Sequence, residues 1–348
     1  MAIYYVGSGG SDSNDGQTYA TRKLTPNGAE DIPVAAGDTV VLAPGVYRET
    51  LTTDVSGVSG SPITYVGDEG GLLTDRVGGA VRFSGSNDDL TAARSPNASV
   101  QHHYRTFRGI RFEGATNNGI SAGGVIDLIV EQCVFMSPAN GIVVNGAAQL
   151  NNRIRQCLFI GQPQASVQFN NSTTLNDVGH ELENCIFIRS GTGAALRVDR
   201  VGGVIARNCE FTGAQGVRVQ TALAAGQIVG VYNSLFIGCG VQATVTGELV
   251  EDYNAFWTTN TPRVNVNAGA NSNTYLPLYN TPLLTLGEQG FMFGDFIASA
   301  GINAIAGVNV PAVDFYGVPR ENPSSWGAVQ YRAGRRPKNA GESRGRRG

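Results

Sequence analysis

The sequence predicts an all-β solenoid, a single-stranded parallel β-helix. Three observations carry this: a recurring phenylalanine, short Val- and Ile-rich segments between glycines, and a charge that changes sign from copy to copy. Phe112, Phe135, Phe159, Phe187, Phe211 and Phe236 are spaced by 23, 24, 28, 24 and 25 residues, and a weaker copy follows at Phe256. A period in this range marks stacked repeats. Each copy runs apolar, charged, amide, Cys, apolar, Phe, as in "VEQCVF" (130–135), "IRQCLF" (154–159), "ENCIF" (183–187), "ARNCEF" (206–211) and "VYNSLF" (231–236). A second β-rich stretch follows each copy, among them "GIVV" at 141, "ASVQF" at 165, "GAALRV" at 193 and "GVRV" at 216. Segments this short and this rich in β-branched and aromatic residues are strands. Forty-seven glycines against three methionines and two tryptophans call for many tight turns and argue against a helical protein.

In such a stack, equivalent positions become ladders about 4.8 Å apart. Cys and Phe, two residues apart, share a face. A column of phenylalanines belongs inside, where each ring contributes about 1.5–3 kcal/mol. Cys133, Cys157, Cys185 and Cys209 then sit beside the rings as small apolar fillers, with Ser234 in the fifth place. Stacked parallel Cβ vectors oppose disulfides between rungs, and no clustered ligand set suggests zinc. Four residues before each Phe stand Arg108, Glu131, Arg155, Glu183, Arg207 and Tyr232, an alternation that pairs opposite charges along an outward column. The residue just before Phe reads Val134, Leu158, Ile186, Glu210 and Leu235. If Phe faces in, this mostly apolar stripe faces out and suggests a homo-oligomer contact, with a trimer favoured; the alternative is a local bend that turns the stripe inward.

The two ends break the repeat. "YYVGSGGSDSNDG" (4–16), "AGDTVVLAPGVYRETL" (36–51) and "GSPITYVGDEGG" (60–71) resemble the amino-terminal region of pectate-lyase-like right-handed β-helix proteins. "DFYGVPRENPSSWGAVQY" (314–331) is similar to the closing segment of many bacterial members, departing at Ser325-Trp326 and Gln330. The resemblance spans roughly residues 3 to 331 and implies a right-handed helix with an N-terminal cap. It implies fold more than function, since such proteins include lyases, hydrolases, adhesins and virion proteins. The resulting division is a cap with first coils at 1–50, rungs at 51–260, a less regular closing segment at 261–331 and a basic tail at 332–348. A capping helix is expected near 23–37, yet Pro26, Gly28 and Pro33 leave little room for one, so the expectation is a loop or a cover from another chain.

The net charge of −3 divides unevenly: the tail holds seven Arg or Lys against one Glu, and the body 18 basic against 27 acidic residues. Arg335, Arg336, Lys338, Arg344, Arg346 and Arg347 thus form an arm suited to an acidic partner surface. No apolar run approaches the roughly 18 residues of a membrane span, so no membrane partner is expected. The start shows no secretory pattern, which suggests a protein made without export or a mature chain. Five widely spaced cysteines do not form a disulfide framework.

Catalytic signals are sparse. The "GHG", "RIK", "WIDH" and "RxPxxR" segments of β-helix hydrolases and lyases, known from the resemblance, are absent. His102 and His103 are adjacent and point to opposite faces. "GSDSNDG" (10–16) reads as a turn more than a calcium loop. The best candidate is Glu210, which interrupts the apolar column, with Arg197, Asp199 and Arg218 on second strands of the same and neighbouring rungs. One carboxylate and two arginines suit an acidic sugar; a surface salt bridge is the plainer reading. No cofactor or metal is expected.

The leading expectation is a non-enzymatic structural protein of a bacteriophage particle, decorating the capsid or associated with the tail, located in the virion and docking through the basic arm. The alternatives are a polysaccharide lyase or hydrolase acting on acidic glycans, and an exported β-helix adhesin.

Overall fold

The computed structural model describes residues 1–272, apart from positions 33, 75–77, 86–96, 137–138, 148, 172–177, 189–191, 214 and 258–260. Beyond them it describes only Ala312, Phe315 and Pro319.

The chain is a right-handed parallel β-helix. Among the described residues each full turn gives one strand to each of three parallel sheets, of ten, nine and nine strands. One turn places Ile129–Glu131 in the first sheet, Val134–Met136 in the second and Asn140–Asn145 in the third, then climbs to Arg153–Arg155. The strands extend from Ile3–Val6 to Arg263–Val264.

The amide before Cys133, Cys157, Cys185, Cys209 and Ser234 makes the corner between the first and second sheets. Gln132, Gln156, Asn184, Asn208 and Asn233 all adopt the left-handed conformation, with φ between 51 and 55°. Asn tolerates that region because its short polar side chain can bond locally. The corner brings each thiol against the carbonyl two residues back. Cys157 Sγ donates to Arg155 O at 3.2 Å and Cys185 Sγ to Glu183 O at 3.4 Å. Ser234 Oγ makes the same bond to Tyr232 O at 2.8 Å. The five cysteines are buried and free, as packing predicts, and the serine explains itself as another small donor. Burial pushes the Cys157 and Cys209 thiols well up, so they stay protonated.

The phenylalanines form one stack. From Phe112 to Phe256 successive centroids lie 4.8–5.0 Å apart with rings within 15° of parallel. Outside the first sheet runs the expected charge ladder, with Arg108, Glu131, Arg155, Glu183 and Arg207 paired in register. Glu183 bridges Arg155 at 3.2 Å and Arg207 at 2.9 Å. Glu181, on the neighbouring outward column, adds bonds from Arg207 at 2.8 Å and Arg155 at 3.4 Å.

Both described ends close with a carboxylate and an arginine. At the start, a five-residue helix forms at Pro26–Glu30, where a loop was the expectation. Proline is compatible with a first helical turn because its missing N–H would be unpaired there anyway. Thr25 caps the helix by accepting from Gly28 N at 2.9 Å, and Asp12 fastens the cap through Leu24 N and Thr25 N, both 2.9 Å. A side chain at Gly28 would place Cβ 2.1 Å from Asp12 Oδ1. Asp12, in the "GSDSNDG" loop, is thus a structural bracket. Beneath the helix, Glu30 receives the fully buried Arg105 at 2.6 and 3.0 Å and the Tyr65 hydroxyl. At the far end Glu251 faces inward, taking Arg263 Nε at 2.6 Å, Asn254 Nδ2 at 2.9 Å and Gly269 N at 2.8 Å. The Arg263 guanidinium lies 4.5 Å over the Phe256 ring and terminates the aromatic stack.

The apolar stripe lies in one column, and much of it is covered. Val134, Leu158, Ile186 and Leu235 do occupy one outward column of the second sheet. However, Leu158, Ile186 and Leu235 are only 2, 1 and 5% exposed, and Phe315 of the same chain packs on the Leu158–Ile186 pair.

Candidate ligand-binding face

The third sheet carries the longest strands, and its outer surface is polar. In register across five neighbouring strands stand Val143, Gln168, Arg197, Arg218 and Gln242. Two residues further along each strand are Asn145, Asn170 and Asp199, followed by Thr221 after a register shift at Val198/Asp199. The inward residues that alternate with them, such as Phe169, Val198 and Val219, are buried in the main hydrophobic core, which fixes the outward direction of the rest.

Asp199 organises this surface. Its Oδ2 accepts from Arg197 Nε at 2.7 Å and Gln168 Nε2 at 3.2 Å, while Oδ1 accepts from Thr221 Oγ1 at 3.2 Å. Arg218, one rung from Arg197, has a long contact of 3.5 Å to Gln215 Oε1, and no carboxylate partner among the described residues. Two arginines therefore stand as nearest neighbours in register, and the one carboxylate nearby pairs with Arg197. On the first sheet, by contrast, the column through Glu183 alternates sign. Like charges in adjacent register are destabilising; Asp199 offsets the charge of Arg197, and that of Arg218 has no carboxylate partner among the described residues.

The structure brings together Arg197, Asp199 and Arg218 but not Glu210. Glu210 belongs to the second sheet, between Ile186 and Leu235, and no described hydrogen bond or ion pair joins it to the other three. It is 1% exposed, its Oε2 lacks a partner among the described residues, and burial raises its carboxyl to about 8. The bend between the second and third sheets separates it from the arginines, so the predicted four-residue patch is corrected to three. Gln168 and Thr221 complete the arrangement; the alignment of "ASVQF" beneath "GAALRV" is the sequence signal for Gln168.

The histidines lie elsewhere. His102 Nδ1 meets Thr53 Oγ1 at 3.2 Å, and His103 Nδ1 accepts from Ile126 N at 3.2 Å. His180 is buried against Phe169, centroids 4.6 Å apart, and desolvation lowers it to about 4. Among the described residues no three His, Cys, Asp or Glu side chains are grouped as metal ligands. No described helix is long and apolar enough to cross a membrane. The arm residues Arg335, Arg336, Lys338, Arg344, Arg346 and Arg347 lie outside the described residues.

Comparison with known proteins identifies the architecture. No family model matches the sequence, and no curated protein matches it. Solved structures do match in fold. A rhamnogalacturonan lyase superposes with a TM-score of 0.58 at 16% identity, covering 74% of each chain. XylC in complex with xylose gives 0.61 at 14% identity, over 78% of this chain and 70% of that one. The GH136 lacto-N-biosidase from Eubacterium ramulus gives 0.52 at 12% identity, over 74% of this chain and 56% of that one. The chain is thus similar in fold to these three proteins.

Proposed function

We propose that this β-helix engages an acidic polysaccharide along the outer face of the third sheet, with Arg197 and Arg218 receiving sugar carboxylates. The observation that carries the reading is the arginine pair in adjacent register, with Arg197 held by Asp199 and Arg218 without a described carboxylate partner, on a face otherwise rich in amides and hydroxyls. Guanidinium groups bind carboxylates through paired, charge-assisted hydrogen bonds, and amides suit sugar hydroxyls. Fold neighbours whose names denote carbohydrate-active proteins support the same direction.

Among bond-breaking chemistries, elimination suits this face better than hydrolysis. Hydrolysis uses two carboxyl groups about 5–9.5 Å apart, and the face offers Asp199 alone among its described side chains. Elimination next to a uronate requires its carboxylate to be neutralised, a base to take the proton from the adjacent carbon, and departure of the glycosidic oxygen as that electron pair forms the double bond. The arginines supply the neutralisation, and Asp199 is the face's described carboxylate able to accept the proton. The particle-protein reading draws instead on the basic arm, outside the described residues.

The test is a panel of uronate-containing and neutral polysaccharides, scored for binding and for products. The expected result is binding to uronate polymers that weakens about 10–100-fold in Arg218→Ala, the cost of losing a charged hydrogen-bond pair. An unsaturated ultraviolet chromophore in the products marks elimination, and reducing ends without it mark hydrolysis. Absence of binding to every acidic polymer overturns the proposal.

A further inference from the structure

The third sheet carries very little charge. Its six strands from Asn118–Gly123 to Val241–Gln242 hold three charged residues, Arg197, Asp199 and Arg218, for a net charge of one (two cations less one anion). The first sheet shows that the solenoid accepts far more: Arg153, Arg155, Glu181, Glu183 and Arg207 crowd three adjacent strands.

The polar column that contains the arginines is also short and bounded. Gln168, Arg197, Arg218 and Gln242 stand in register on four successive strands, with Val143 before them and Val264 after. Three steps of about 4.8 Å make a track about 14 Å long. Cations occupy its two middle rungs and amides its two ends.

Those ends are not built for anions. Gln168 Nε2 already donates to Asp199 Oδ2 at 3.2 Å, so a carboxylate above Gln168 would meet a committed donor and a like charge one hydrogen bond away. At the other end Gln242 offers an uncharged amide, and its strand Val241–Gln242 holds no cation. In the middle, Asp199 offsets Arg197 through Nε at 2.7 Å, and Arg218 has no carboxylate partner among the described residues. The track therefore compensates a single added carboxylate, at its centre. Any further one would give up water and find no cation in return, which costs free energy.

Resting on the glycan reading above, we propose that this face selects a polysaccharide whose acidic units are sparse: one uronate at the arginine pair, with uncharged units over Gln168 and Gln242. The two glutamines are then the specificity-determining residues, and the arginines supply the anchor.

The experiment titrates the full chain with several polyuronates that differ in backbone, each of fixed length and methyl-esterified to graded extents from none to complete. The expected result, in a series that binds, is tightest binding at partial esterification and none at complete esterification. The optimum should be about tenfold tighter than the unesterified polymer, the scale of leaving one charged group unpaired. Gln242→Arg, folded by circular dichroism, adds a cation to the track and moves the optimum toward less esterified polymers. Binding that climbs steadily as esters are removed, or an optimum that Gln242→Arg leaves in place, overturns this inference and leaves the glycan reading standing. Binding to no member of any series, or strongest binding at complete esterification, overturns that reading and this inference with it.

Discussion

Replacing Glu210 with leucine should stabilise the protein, and more so as the solution becomes alkaline. Glu210 interrupts an apolar column between Ile186 and Leu235, is buried, and has one carboxylate oxygen unpartnered among the described residues. Burial raises its carboxyl from 4.5 to about 8. Below about 4.5 the group is protonated in both folded and unfolded chains. Between the two values the unfolded chain ionises while the folded chain keeps its proton, so stability falls as pH rises. Above about 8 the whole penalty is present. At about 1.4 kcal/mol per pH unit, the interval amounts to roughly 5 kcal/mol, an upper bound because a chain that ionises can rearrange locally. The assay is urea unfolding of both proteins from about pH 5 to about pH 9. Glu210→Leu should exceed the wild type by several kcal/mol at the alkaline end, with the gap closing toward the acidic end. A gap that does not vary with pH, or a variant less stable throughout, refutes the reasoning.

Other substitutions test the remaining structural claims. Arg105→Met leaves Glu30 buried without its guanidinium and should cost about 3–5 kcal/mol, measured by denaturant midpoint; adding Glu30→Leu should restore much of it. Glu183→Lys puts three cations in succession with Arg155 and Arg207 and should cost about 1–2 kcal/mol, a loss that added salt reduces. Cys185→Ser keeps the donor to Glu183 O and should be milder than Cys185→Val, which fills the space but leaves that carbonyl without the bond, by about 1 kcal/mol. Equal losses in the two cysteine variants would show that the thiol acts only as filler.

Most of the solenoid is legible in the sequence because each rung is local and each column repeats. Phe187, Cys185 and Glu183 reveal their places once set beside Phe159, Cys157 and Arg155, and the stacking then follows from strand geometry. What is not legible depends on contacts distant in sequence or on chain direction at bends. Gln156 and Phe315 are 159 residues apart, so no local pattern announces that the stripe is covered. Glu210 and Arg218 are close in sequence, yet the turn between sheets sends them to different faces. The capping helix is obscured for another reason: Pro26 reads as a breaker until its first-turn position behind Thr25 is known. The Arg197–Arg218 adjacency was available from aligning "GAALRV" with "GVRV", but only the neighbouring strands show that a single carboxylate, Asp199, serves both rungs.

One titration tests the role of the arginine pair most directly. A uronate polymer is titrated into the wild type and into Arg197→Ala/Arg218→Ala at low and moderate salt, with a neutral polymer as control. The account predicts wild-type binding that weakens with salt, as exposed charge pairing requires, is lost in the double variant, and is absent for the neutral polymer. Equal binding by the two proteins, or preference for the neutral polymer, would contradict it.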